Sequence, residues 1–195
     1  MLFATNNHHK LEEARSILAA VGVDVLSLSD LEETKHISDI PETGSTFEGN
    51  AQQKLDFVWQ QYAKLPVMAD DSGLEVTALD NQPGVRSKRW VAGSDNDRVA
   101  YLLQKIEGNS DRTAQFVTSL CYRESEEQSV LFFTGVVKGI IAEKPRGKNG
   151  FGYDPVFIPH GYNNTFAELS QSSKNTLSHR ALAFHALVKH LTKEV

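Results

Sequence analysis

Apolar residues in this chain fall into two patterns, and their alternation constrains the fold more than any other feature. Leu2, Phe3 and Ala4 form a run too short for a helix and suited to a buried strand. Helical spacing follows at once: Leu11, Ala14, Leu18 and Val21 share one face, and Gly22 ends the pattern. Ser45-Thr46-Phe47-Glu48 then matches a capping box that opens a second helix at Ser45, with an apolar face of Phe47, Ala51, Leu55, Val58 and Tyr62. Pro66 is expected to stop that helix, and Val67-Met68-Ala69 reads as another buried strand. Further on, 114–122 and 130–142 are rich in strand formers on either side of the polar segment 123–127, the pattern of an antiparallel hairpin. A last helix is expected to carry Leu177, Ala181, Phe184, Val188 and Leu191 on one face. The sum predicts an α/β protein with one mixed β-sheet flanked by helices.

Size sets the domain count. The 195 residues, 40% of them hydrophobic, supply one sizeable core that can be elaborated into two lobes. They are short for two independent domains, so 1–195 is taken as a single domain. No internal repeat, low-complexity tract or linker interrupts it. Cys121 is the only cysteine, which rules out an internal disulfide and suits a reducing, cytoplasmic home. No apolar run approaches the roughly 20 residues that span a bilayer, and no secretory signal is visible.

A net charge of −5 argues against bulk binding to nucleic acid. The charge is uneven, however. Residues 1–72 hold 5 Lys/Arg against 12 Asp/Glu, and residues 141–195 hold 7 against 4, with four histidines besides. That asymmetry suits a site pairing a metal with a polyanion; solvated surface charge would look the same.

Three stretches carry candidate chemistry. After the first strand comes Thr5-Asn6-Asn7 and a helix expected to start near Lys10. A strand-to-helix turn offers free backbone N–H groups and the positive end of the helix dipole, both favourable to phosphate. Asn and Thr also cap helices for structural reasons alone. The adjacent His8-His9 make a poor chelating pair, because neighbours on a helix point about 100° apart; they read as loop surface. Next, the strand at 67–69 delivers Asp70 and Asp71 into an expected Ser72-Gly73 turn. Alternation sends the two carboxylates to opposite faces, one toward a site and one toward structure. Such carboxylates suit Mg²⁺, although Asp-Ser-Gly also simply favours turns. Glu42, ahead of the second helix, offers a second carboxylate or is an ordinary loop acid.

The third stretch is glycine-rich and aromatic, Lys144–Pro159. Phe151 and Tyr153 either present ring faces to a base or anchor an irregular loop, with Asp154 beside them. Lys174 is expected just ahead of the last helix and Ser178-His179-Arg180 at its start, a donor cluster suited to an anion or a carbonyl.

These residues fall in blocks: ATNNHHK (4–10), ETGSTFEGNA (42–51), ADDSGLEV (69–76), PGVRSKRW (83–90), GFGYDPVF (150–157) and AELSQSSKNTLSHRA (167–181). With six blocks in register, the chain closely resembles the inosine triphosphate pyrophosphatase family, which hydrolyses dITP, ITP and XTP. The resemblance implies a long central mixed sheet with two α/β lobes and a cleft between them, a homodimer, and Mg²⁺-dependent hydrolysis to the monophosphate and pyrophosphate. It assigns phosphate to Thr5, Asn6, Asn7, His8, His9 and Lys10, with Lys54 nearby. It assigns the metal to Glu42 and Asp71, with Asp71 also accepting the proton of water. Substrate falls to Ser72, Phe151, Gly152, Tyr153, Asp154, Lys174, His179 and Arg180. His8 and His9 occupy variable positions of their motif, in keeping with surface. Gly49, Arg86 and Lys88 depart from the usual family residues. Two alternatives share the phosphate chemistry: a pyrophosphatase for modified pyrimidine or bulky nucleotides, and a non-catalytic nucleotide-binding regulator.

Overall fold

The computed structural model of the chain describes residues 1–192. Its strands are β1 (Leu2–Phe3), β2 (Val67–Val76), β3 (Gln82–Pro83), β4 (Thr113–Arg123), β5 (Leu131–Ile141) and β6 (Phe157–Pro159). They form one sheet in the order β1-β2-β4-β5-β6, with β3 paired to β2. β1 runs parallel to β2, Phe3 lying opposite Met68, whereas β6 runs antiparallel to β5. The sheet is therefore mixed, as the alternation of patterns predicts. The helices are α1 (His8–Leu18), α2 (Phe47–Gln61), α3 (Asp95–Lys105), α4 (Gln171–Leu177) and α5 (His179–Thr192).

The chain divides into two compact units, each drawn from separated stretches. The first comprises Met1–Asp71, Thr118–Gly135 and the chain from Arg180 onward; the second comprises Ser72–Val117 and Val136–His179. In the first unit, successive strand residues face opposite cores, as pleating requires. Phe3, Met68, Leu120 and Tyr122 pack with Leu11, Ala14 and Leu18 of α1 and Phe184 and Leu187 of α5. Leu2, Val67, Ala69 and Cys121 pack instead with Ala51, Leu55, Val58 and Trp59 of α2. In the second unit, Leu74, Val76, Phe116, Ile141 and Phe157 pack on Val99 and Leu102 of α3, with Tyr153 and Phe166 closing the cluster.

Five boundaries differ from expectation, the first three for local reasons. α1 begins at His8 rather than Lys10, because the Asn7 side chain caps it by accepting from the N–H groups of His9 and Lys10. His8 and His9 thus lie in the first helical turn, not in the loop. α2 is capped by Thr46, whose Oγ1 accepts from Gly49 N–H at 3.0 Å, so Ser45 lies outside the helix. Glycine at 49 has no side chain to return the bond, and the reciprocal half of a capping box is missing. The helix also ends at Gln61, where extended Tyr62 (φ −153°) closes it ahead of Pro66.

The other two differences bear on function. β2 does not turn at Ser72-Gly73 but continues to Val76, since strands pair along both parts of it and Gly73 stays out of the left-handed region. The expected last helix breaks at Ser178, whose extended backbone (φ −71°, ψ 156°) separates α4 from α5. Lys174 therefore sits inside a short helix of its own.

Candidate active site

Asn50 and Lys54 lie four residues apart on α2 and so project from the same face. That face meets Asp71 on β2. Asn50 Nδ2 donates to Asp71 Oδ2 at 2.9 Å, and Lys54 Nζ stands 3.7 Å from Asp71 Oδ1. Lys54 Nζ also donates to Glu42 Oε1 at 2.8 Å. The loop carrying Glu42 is tied to the same helix, because Asn50 Oδ1 accepts from Gly44 N–H at 2.7 Å. One asparagine thus orients both a carboxylate and the loop that brings the second one.

On the other face of β2, Asp70 is fully buried between two cations. Lys10 Nζ lies 3.0 Å from Oδ1 and 2.9 Å from Oδ2, and Arg180 Nε lies 3.3 Å from Oδ2. The Arg180 Nη1 donates to Glu13 of α1, which is also buried. Burial by itself would raise the Asp70 carboxyl, but Lys10, Arg180 and Lys54 hold it well below the usual carboxylate range. Asp71 goes the other way. Burial pushes its carboxyl up, and Lys54, Lys10 and the Asn50 hydrogen bond only partly oppose this. Two adjacent acids in one strand are thereby driven apart, one fixed as an anion and one nearer to exchanging a proton, the arrangement from which acid and base roles arise.

The lysines differ too. Lys10 is pulled down by burial more than Asp70 lifts it. For Lys54 burial also works downward, but Asp70, Asp71 and Glu42 outweigh it and raise the ammonium. Glu42 and Asp71 converge on the one ammonium of Lys54, a point already favourable to a cation. Two carboxylates with phosphate oxygens and water completing the shell is the donor set of Mg²⁺, so these residues suit that ion. Among the described residues, no group of three or more His, Cys, Asp or Glu gathers as a richer metal site would need.

The first loop is bonded to itself and to its neighbours. Thr5 Oγ1 accepts from Asn7 N–H at 3.2 Å, and Asn6 Nδ2 donates to Ser38 O at 2.8 Å. The rings of His8 and His9 stand 6.3 Å apart at 81°, exposed beside Glu12, and make no chelating pair.

In the second unit, Asp154 Oδ2 accepts from Lys174 Nζ at 2.7 Å and from Phe151 N–H at 2.9 Å. Lys174 Nζ also lies 4.9 Å from the Phe151 ring centroid, a cation–π contact. Gly152 N–H donates to Asp95 Oδ2 at 2.7 Å. Gly150 has φ +74°, and a Cβ there would stand 2.1 Å from Asp154 Oδ2, so the turn requires glycine. Phe151, Gly152, Asp154 and Lys174 are thus brought together. Tyr153 is instead a core anchor: its ring is buried and its hydroxyl donates to Ser87 O at 3.1 Å. His179 is buried flat against Phe116, with centroids 4.5 Å apart at 7°. Ser72 sits half-buried in β2.

Ser178 separates Lys174, within α4, from His179 and Arg180, which begin α5. Lys174 pairs with Asp154 in the second unit, whereas Arg180 commits Nε and Nη1 to Asp70 and Glu13 in the first. Glu13 and Asn50 were not expected at the site. The signal for Asn50 was available in its spacing of four from Lys54; Glu13 is four residues before Ile17, on the rim of the buried face of α1.

The model of the Ham1 family matches residues 1–190. The chain belongs to the Ham1 family. Among its relatives, the dITP/XTP pyrophosphatase of Flavobacterium johnsoniae is 43% identical over 98% of this chain and 97% of its own length. The Ham1 protein of Coxiella burnetii superposes with a TM-score of 0.88 at 38% identity, covering 98% of both chains. The Staphylococcus aureus Ham1 protein gives 0.87 at 37% identity, over 100% of this chain and 98% of the other. Arg86 and Lys88 are exposed.

Proposed function

We propose that this Ham1-family chain hydrolyses nonstandard purine nucleoside triphosphates (dITP, ITP and XTP) to the monophosphate and pyrophosphate. The observation that carries this is the split of Asp70 and Asp71 among Lys10, Lys54 and Glu42. It supplies cations for a polyphosphate and, beside them, a carboxylate raised toward proton exchange. The name of the relative from Flavobacterium johnsoniae supports the substrate class.

In this scheme Thr5 to Lys10 and Lys54 hold the phosphates, the backbone N–H groups at the start of α1 adding to the lysines. Glu42 and Asp71 hold Mg²⁺, which, when bound, neutralises phosphate charge and favours attack at the α-phosphorus. Asp71 takes a proton from water as its oxygen bonds to the α-phosphorus; the bond from that phosphorus to the bridging oxygen breaks and pyrophosphate leaves. General-base help of this kind is typically worth about 10²–10⁴-fold. Phe151 offers a ring face to the base, with Ser72, Gly152, Asp154, Lys174, His179 and Arg180 completing the assigned substrate residues. A buried donor facing the 6-oxo group would be left unpaired by the amino group of adenine, at about 1–3 kcal/mol.

The same proposal makes the protein a cytoplasmic homodimer acting on free nucleotides. No helix among the described residues is long and apolar enough to cross a membrane.

The test is to incubate the purified protein with Mg²⁺ and dITP, XTP, ITP, dATP, dGTP and dUTP in H₂¹⁸O. Pyrophosphate from dITP and XTP, label in the monophosphate, and loss of turnover in EDTA are expected. Orthophosphate as product, or label in pyrophosphate, would overturn attack at the α-phosphorus. A preference for dUTP would move the substrate class to pyrimidines.

A further inference from the structure

Ser119 of β4 is 3% exposed, and its Oγ has no hydrogen-bond partner among the described residues. An unpaired buried hydroxyl typically costs about 1–3 kcal/mol, which alanine at the same place would not incur. Such a group calls for a reason in what it faces.

Two contacts tell what that is. Gln115 Nε2 donates to Glu75 Oε2 at 2.7 Å, and the Cys121 thiol reaches Ala69 O at 3.4 Å. Six steps up β4 therefore match six steps down β2, which makes these neighbouring strands antiparallel with a fixed offset. Two steps from the Ala69–Cys121 pair, the same offset sets Ser119 opposite Asp71. Directly opposed residues share a face of the sheet, with Cβ atoms about 4.5–5.5 Å apart. That face is the one covered by α2, since Cys121 and Ala69 both pack with Leu55 and Val58. It is also the face where Asn50 and Lys54 meet Asp71. The charge of Lys54 reaches as far as the Cys121 thiol, two residues beyond Ser119 on the same side.

We infer that Ser119 is a water-positioning residue: its hydroxyl holds the water from which Asp71 takes a proton. A serine hydroxyl both donates and accepts, so it can accept one O–H of that water while Asp71 accepts the other. The water's lone pair is then left for the phosphorus. The inference rests on the hydrolysis proposed above and adds a residue to it.

Ser119→Ala and Ser119→Thr test it, with dITP kinetics and thermal unfolding measured on the same preparations. Ser119→Ala is expected to lower kcat about tenfold with KM within twofold, because the hydroxyl acts on the attacking water and not on nucleotide affinity. Its Tm is expected to equal or exceed that of the parent, since an unpaired polar atom is removed. Ser119→Thr, which restores a hydroxyl, is expected to recover most of kcat. Unchanged kcat in Ser119→Ala would overturn the inference while leaving the proposed function standing. A fall in Tm in Ser119→Ala that threonine reverses would show a structural hydroxyl and overturn it as well. A parent that releases no pyrophosphate from dITP would instead overturn the function, and this role with it.

Discussion

Arg180 and Lys10 grip the same carboxylate, that of Asp70, from elements 170 residues apart in sequence, at 3.3 and 2.9 Å. Arg180 reaches Glu13 as well, so the cluster holds two acids and two bases, all at least largely buried. Arg180→Ala leaves Glu13 and Asp70 short of a cation in a dry place, which is expected to cost about 3–5 kcal/mol of stability. Glu13→Ala combined with Arg180→Ala is expected to cost less than the sum of the single changes, by about 0.5–3 kcal/mol. Urea unfolding of the parent and the three variants measures both. Strictly additive losses would mean that the pair is not coupled.

The depressed Asp70 carboxyl fixes the direction of acid sensitivity. In the unfolded chain the group returns to its ordinary value near 3.8, so on acidification the unfolded state takes up the proton first. Its contribution is complete above that value and is lost as the pH falls below it. EDTA-treated parent protein is expected to lose stability steeply below about pH 4, and Asp70→Asn to show a shallower slope there. Denaturant titrations at stepped pH decide this; parallel slopes would remove Asp70 as the cause.

Asp71→Asn keeps the shape that accepts from Asn50 but has no carboxylate to take a proton or share a metal. Turnover of dITP is expected to fall at least 10²-fold, on the order of general-base loss, with nucleotide binding kept within a few fold. Equilibrium binding with a non-hydrolysable analogue beside steady-state rates separates the two effects. Retained turnover would move the base elsewhere.

At Gly150 the turn holding Asp154 leaves no room for a methyl group. Gly150→Ala is expected to displace the Asp154 carboxylate from Phe151 N–H and Lys174, lowering stability by about 1–3 kcal/mol and raising KM for dITP. Thermal unfolding and kinetics check it, and a variant indistinguishable from the parent would show that the turn yields freely.

His8→Ala with His9→Ala removes two exposed rings that face water and Glu12. Activity and Mg²⁺ dependence are expected to stay within about twofold of the parent, since an exposed pair of this kind contributes little. Lys10→Ala, by contrast, is expected to lower kcat and raise KM. Loss of metal dependence in the histidine variant would restore those rings to the site.

Much of the fold was legible because strand and helix periods differ so plainly in residues 2–21 and 47–69. What escaped was decided by partners far away in sequence. Ser72-Gly73 carries turn chemistry, yet pairing along β2 keeps it extended. Leu177 and Ala181 keep helical spacing across Ser178, and periodicity alone does not register that the backbone opens there. At the site, Glu42, Lys54 and Asp71 could be assembled from blocks of sequence. Glu13 could not, because an acid on the rim of an apolar helix face shows its purpose only when Arg180 arrives from the far end of the chain.

The straight passage of β2 through Asp70 and Asp71 makes its frame unforgiving. Deleting one residue between Pro66 and Asp70 would turn both acids to the opposite face, bringing Asp71 to the place between Lys10 and Arg180 and leaving no carboxylate against Asn50. A two-residue change would keep the facing and only shift the position. Odd changes in the length of this segment therefore exchange the faces of the two carboxylates and even ones slide each along its own face, a parity rule written into a strand by two neighbouring acids.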